Sequence, residues 1–200
     1  MSEPRTLDVG ALPPGAFGSR SLMWWGTMGM VLIESTVFAL AIGSYFFLRT
    51  RMPAWPPDGV APPDLRWGTI NTLILLASLI PNELAKRAGE RVDLRGVHRW
   101  MVACLVFGVG FNVVRGFEFM HLNVWWDHDA YGSIVWMLLG LHTTHIVTDF
   151  LDTLVLTVLM FTGPIEEKRF VDVEENSAYW YFVVIAWLPI YGVIYWGRLM

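Results

Sequence analysis

Between Tyr131 and Met160 the chain reads YGSIVWMLLGLHTTHIVTDFLDTLVLTVLM. About 20 apolar residues suffice to cross the ~30 Å hydrocarbon layer of a bilayer as a helix, so this run is long enough to span. It nevertheless carries His142, His145, Asp149 and Asp152. At ~100° per residue these four fall within an arc of roughly 80° on one helix face. A seam of two imidazoles and two carboxyls inside a membrane turns toward protein, water or a cofactor, not toward lipid. The chain must therefore fold so that other helices cover this face.

The remaining sequence supplies such helices. Hydrophobic residues make up 54% and charged residues 16%, so the composition suits an integral membrane protein rather than a soluble domain. Helices are expected over about 22–48, 67–86, 97–122, 131–161 and 178–197, giving an all-α bundle of five transmembrane helices within a domain of 22–198. Each segment is too long for a barrel strand. Residues 1–21, with Pro4, Pro13, Pro14 and three glycines, read as a polar arm without the apolar core of a cleavable signal. Thr50–Arg66 is a proline-rich loop, Lys86–Arg99 a basic connector, and Gly163–Ser177 an acidic loop. Lysine and arginine concentrate on the side that would hold the arm and the 2–3 and 4–5 connections. The N-terminus is therefore expected in the cytoplasm and the C-terminus outside. The net charge of −4 and the absence of a basic patch argue against a nucleic-acid partner. Cys104 is the sole cysteine, so no intrachain disulfide can form.

Several polar groups could carry chemistry. Glu34 lies alone within MVLIESTVFA and needs either a partner across helices or a proton-relay role. His142, His145 and Asp149 could offer three ligands to one metal, but a packing seam accounts for them more simply, and no metal is expected. Arg115 and Glu118, three apart near a helix end, read as an ion pair that snorkels or grips a lipid headgroup or a partner subunit. No phosphate-binding glycine loop, nucleophile elbow or CxxC is present, so catalysis on this chain alone has no support.

At these residues the chain resembles subunit III of the haem–copper oxidases. VLIESTVFALAIGSYFFLR is similar to the family's glutamate-bearing helix, and TLILLASLIPNELA to the helix after it. VRGFEFMH resembles the end of the next helix. YGSIVWMLLGLHTTHI matches the family's YGS run with its paired histidines, and SAYWYFVVIAWLPIYGVIYW resembles its final helix. The resemblance covers about Met23 to Trp196 and points to the short, five-helix bacterial form. Two features depart from the pattern. The final helix has Tyr181 and Val184 where the family has a His and an Asp, and Asp149 replaces a small residue. A replacement polar contact through Asp149 is expected.

The resemblance implies a subunit without redox centres in an oxygen-reducing, proton-pumping complex of the bacterial inner membrane. Haem and copper would lie in partner subunits I and II. Bound phospholipid would fill a V-shaped cleft between helices 1–2 and 3–5. By the same resemblance, Glu34, His142 and His145, together with Asp149 and Asp152, would form a proton or polar network. Arg115, Glu118 and Glu174 would contact lipid or other subunits. The alternatives are an accessory subunit of a nitric oxide reductase and a haem-binding membrane anchor. The anchor needs haem ligands on opposed helices at one depth, which His98, His121 and His128, near the membrane surfaces, do not offer.

Overall fold

The computed structural model describes residues 22–163 and 167–197, and the regular structure in them is helical, with no strand. α1 spans Leu22–Arg51, α2 Leu65–Glu90, α3 Leu94–Met120, α4 Ala130–Thr162 and α5 Glu167–Tyr191. α5 continues into a π-helical turn, Gly192–Trp196. The arm expected over 1–21 lies outside the described residues. Four segments are long and apolar enough to cross a membrane: Met23–Arg51, Leu94–Met120, Ala130–Thr162 and Arg169–Trp196. α2 is not among them. It carries Asn71, Asn82, Glu83, Lys86, Arg87 and Glu90, and it buries Asn71, Ser78 and Asn82 inside the protein.

α2 and α3 form an antiparallel hairpin along their whole lengths. At one end the Asp64 amide donates to the His121 carbonyl at 3.1 Å. At the other, Ala85 and Ala88 pack with Val97 and Met101. The turn between them places Val92 at φ 54°, a left-handed conformation that a β-branched residue adopts only under constraint. Here the constraint is a pair of 2.9 Å bonds, from Val92 N to Gly89 O and from Asp93 N to Ala88 O.

The helices alternate in direction. One end of the bundle gathers the α2–α3 turn, the end of α4 and the start of α5, around Leu156, Met160, Phe170 and Val173. The opposite end gathers the close of α1 and the start of α4, where Trp55 stands edge-on to Tyr45 at 5.1 Å and to Tyr131 at 5.0 Å. Between the ends, Leu138, Leu139, Val183, Trp187 and Ile190 are completely buried along the contact of α4 with α5. Leu32, Ile33, Leu40, Val106, Val109 and Val155 stay exposed on the outer faces, where a bilayer would cover them.

Two expectations change. α5 begins at Glu167, so most of the acidic stretch expected as a loop is helix. Acidic residues are favoured near a helix N-terminus, so this composition suits a helix start as well as a loop. Phe170 and Val173, one turn apart, anchor it to α2, α3 and α4. The division between helices 1–2 and helices 3–5 is also redrawn. α2 packs most extensively on α3 and then on α5, whereas α1 rests on α4 and α5. The buried amides of α2 find their partners on α3 and α5, which holds α2 with them. One opening lies between the first half of α1 and the facing parts of α4 and α5.

Candidate functional site

α4 turns its polar seam inward, but its members separate into three environments. His142 is fully buried. Its Nδ1 lies 3.2 Å from Arg115 Nη2, and its Nε2 lies 3.1 Å from the Val183 carbonyl. A guanidinium only donates, so Nδ1 accepts and Nε2–H donates to the carbonyl. His142 is thus held as the neutral Nε2–H tautomer, with neither nitrogen free to bind a metal. Trp187 stacks on its ring at 4.8 Å.

Arg115 and Glu118 sit at the same level. The expected lipid-side, snorkelling placement is overturned, because both side chains are buried inside the chain and meet at 2.9 Å. The i,i+3 spacing on α3 brings them together, and the other helices close over them. Glu118 accepts from Asn71 Nδ2 on α2 and from the Tyr195 hydroxyl in the π-helical turn, each at 2.5 Å. Arg115 lies between the rings of Phe111 and Trp187, at 4.7 and 4.3 Å from their centroids. This sandwich substitutes π faces for the water a guanidinium would otherwise have.

Glu34 and His145 form the second environment. The His145 Nε2 lies 3.4 Å from Glu34 Oε1, and the Tyr179 hydroxyl donates to Oε2 at 2.8 Å. His145 Nδ1–H donates to the Leu141 carbonyl at 2.7 Å. Nε2 is thereby turned toward the Glu34 carboxyl, and the two groups face each other across α1 and α4. Phe38 separates this pair from His142, at 4.9 Å from the His145 ring and 6.3 Å from His142.

Asp149 and Asp152 form the third. Both line a groove of about 380 Å³ with Asp172, Glu175, Asn176 and Tyr179 of α5 and Met23, Thr27 and Met30 of α1. Asp149 is only 3% exposed, and its Oδ1 has no hydrogen-bond partner among the described residues. The polar contact expected to replace the missing His–Asp pair is therefore not made to a protein group by Oδ1. Asp152 is exposed. Glu174, half-buried on α5, makes no hydrogen bond or ion pair among the described residues and joins neither network. Those residues also include no group of three or more His, Cys, Asp or Glu arranged to hold a metal.

A glutamate–histidine–tyrosine cluster and a second, arginine-centred cluster in one helical bundle define a pattern that can be compared with known proteins. The family profile described as cytochrome c oxidase subunit III matches residues 19–198. The chain belongs to the cytochrome c oxidase subunit III family. It is 27% identical to a cytochrome c oxidase subunit 3 of Synechocystis over 184 residues, covering 90% of this chain and 78% of that one. It is 30% identical to a probable cytochrome c oxidase subunit 3 of Mycobacterium leprae over 180 residues, covering 86% and 87%. Pylaiella littoralis has a relative of the same name at 26% identity, covering 84% of this chain and 65% of the relative. Membership makes this chain a multi-pass membrane subunit of a multi-subunit oxidase.

In this subunit III, α5 and the π-helical turn that continues it give each of the two glutamates a hydroxyl partner, Tyr179 to Glu34 and Tyr195 to Glu118, and sequence reasoning missed both. Tyr179, Val183, Trp187, Tyr191 and Tyr195 recur every four residues, so they form a row that winds gradually around the helix and meets several neighbours in turn. Three of the five side chains donate hydrogen bonds: to Glu34, to Thr72 at 2.8 Å, and to Glu118. Tyr191 shares a 2.9 Å bond with Thr69. The four-residue repeat of hydroxyl and indole groups was the signal available.

Proposed function

We propose that this chain is the redox-inactive subunit III of a bacterial respiratory cytochrome c oxidase, supporting subunits I and II, which carry haem and copper. The observation that carries this reading is the buried network around Arg115, in which Arg115, Glu118, Asn71, His142 and Tyr195 from four segments of the bundle are tied to one another. A bundle so fastened is suited to holding shape and position beside a catalytic partner. The Glu34–His145–Tyr179 cluster, with Asp149 and Asp152 nearer the groove, is the proton and polar network of the subunit. In this role it would sustain proton uptake and turnover of subunit I. The apolar groove of Val109, Val113, Val147, Phe150 and Leu151 between α3 and α4 offers a seat for a bound phospholipid chain, which would ease oxygen access.

We also propose that α2 is a fifth membrane crossing and that 22–198 is a single transmembrane domain of the inner membrane. Its 26 residues reach about 39 Å, and it runs the full length of α3, a span by its own composition. The bundle end with the α2–α3 turn carries Lys86, Arg87, Arg91 and Arg95 and is assigned to the cytoplasm, with the N-terminus on that side and the C-terminus outside.

The test is recovery of the tagged chain from native membranes in mild detergent, with partners identified by mass spectrometry. A polytopic haem–copper subunit I and a copper-binding subunit II are expected in stoichiometric amount. Recovery without them would overturn the reading. In that complex, Glu34→Gln should leave assembly intact and slow turnover or hasten its decay, whereas unchanged turnover would assign Glu34 to structure alone.

A further inference from the structure

Asp149 lines not one cavity but two. Besides the acidic groove, it borders a small, partly open chamber of about 20 Å³ among α2, α3, α4 and α5, walled by Ser78, Asn82, Cys104, Phe150, Thr153 and Trp180 as well. Asp149 and Asn176 belong to the walls of both spaces and form the partition between them. A water needs a volume of roughly 10–15 Å³ on this measure and two to four polar partners. The chamber has the volume, and its lining has the groups.

Most of those groups are already held in place. Trp180 Nε1 donates to Ser78 Oγ at 2.9 Å, and Ser78 donates to the Leu75 carbonyl at 2.6 Å. The Thr153 hydroxyl donates to Asn176 Oδ1 at 3.2 Å, and Asn82 Nδ2 donates to the Ser177 carbonyl at 3.2 Å. The buried Asp149 Oδ1 is the acceptor left over. An unsatisfied buried carboxyl oxygen is costly, and no lysine or arginine lines either cavity to neutralise it. The ionisable groups bordering these spaces are Asp152 on the same helix, Cys104 on α3, and Asp172, Glu175 and Tyr179 on α5, while α1 and α2 contribute none.

We propose that Asp149 is the inner end of a water inlet: a site that binds water in the chamber through Oδ1 and is supplied from the acidic groove across the Asp149–Asn176 partition. Phospholipid is the competing occupant of the groove. An acyl chain filling it would seal the partition and cut the supply of water from the groove. Four carboxyl groups around the groove favour water and small cations over an anionic headgroup. The inlet rests on the geometry of this chain and stands whether or not the chain supports proton uptake in its complex.

Cys104, the sole cysteine and a wall of the chamber, is the natural reporter. X-ray radiolysis generates hydroxyl radicals from water in place, so a side chain beside held water is oxidised even when buried. The intact complex is irradiated, and modification is read by mass spectrometry, with lipid-facing Met137 as the dry reference and Trp126 as the wet one. Cys104 oxidation well above Met137 is expected in wild type and in Asp149→Asn, which keeps a polar group for water. In Asp149→Leu it should fall to the Met137 level. Should that variant not assemble, Asn176→Leu closes the partition from the α5 side and should give the same loss. Wild-type oxidation no higher than Met137, as a sealed or lipid-filled groove would give, overturns the inlet. Oxidation that persists undiminished in the leucine variants overturns it equally.

Discussion

Arg115 and Glu118 are buried as a pair, and the two halves of that pair have unequal means of escape. If Arg115 is replaced by Leu, Glu118 keeps donors from Asn71 and Tyr195 and can take up a proton. If Glu118 is replaced by Leu, the guanidinium stays charged, with the His142 Nδ1 as its remaining acceptor. Removing one member of a buried pair costs about 3–5 kcal/mol, so Glu118→Leu is expected at or above the top of that range and Arg115→Leu below it. Detergent denaturation midpoints of the two variants measure the difference. Equal and small losses would mean that water reaches the pair. His142 and Glu34 were legible in the sequence because a polar residue in an apolar run stands out. Their partners were not, because Tyr179, Trp187 and Tyr195 count toward the apolar character of α5 while supplying the polar contacts. The burial of Arg115 was illegible for another reason: proximity to a helix end in sequence says nothing about which helices close over it.

At the scale of elements, α5 shows how composition and structure part. The run Glu166–Asn176 has the charge of a surface loop, yet from Glu167 it is helical. Phe170 explains why, since it is buried in a satellite core with Ala85, Met101, Leu156 and Met160. A buried Phe replaced by Ala costs about 3–5 kcal/mol, whereas a surface loop tolerates the change. Phe170→Ala should therefore lower the thermal midpoint of the purified chain by an amount matching that range. A shift near zero would return the segment to a loop. The long apolar helices α1, α3 and α4 were readable because their lengths exceed the bilayer thickness. α2 was readable as a helix, but its packing was not. Only its position along α3 shows why Asn71 and Asn82 are tolerated inside it.

The whole molecule has two ends, and the alternation of helix directions fixes which turns share an end. Val92, exposed in the α2–α3 turn, and Asp58, in the α1–α2 loop, lie at opposite ends of α2. After Cys104→Ala, a membrane-impermeant maleimide should label Val92→Cys only in inverted vesicles and Asp58→Cys only in right-side-out cells. Labelling of both from one side would show that α2 does not cross, and reversed sidedness would invert the topology.

The hydrogen bonds of α5 have a consequence for how the protein comes to exist. Tyr179 reaches α1, Trp180, Tyr181 and Trp187 reach α2, Tyr195 reaches α3, and the Val183 carbonyl receives His142 of α4. α5 is synthesised after the other four. Until the ribosome has delivered it, Glu34, Ser78 and His142 wait in the membrane with bonds unmade, and such groups are expensive in hydrocarbon. α5, with the π-helical turn that continues it, acts as a keystone, because its bonds to each of the other four helices stay unmade until it is in place.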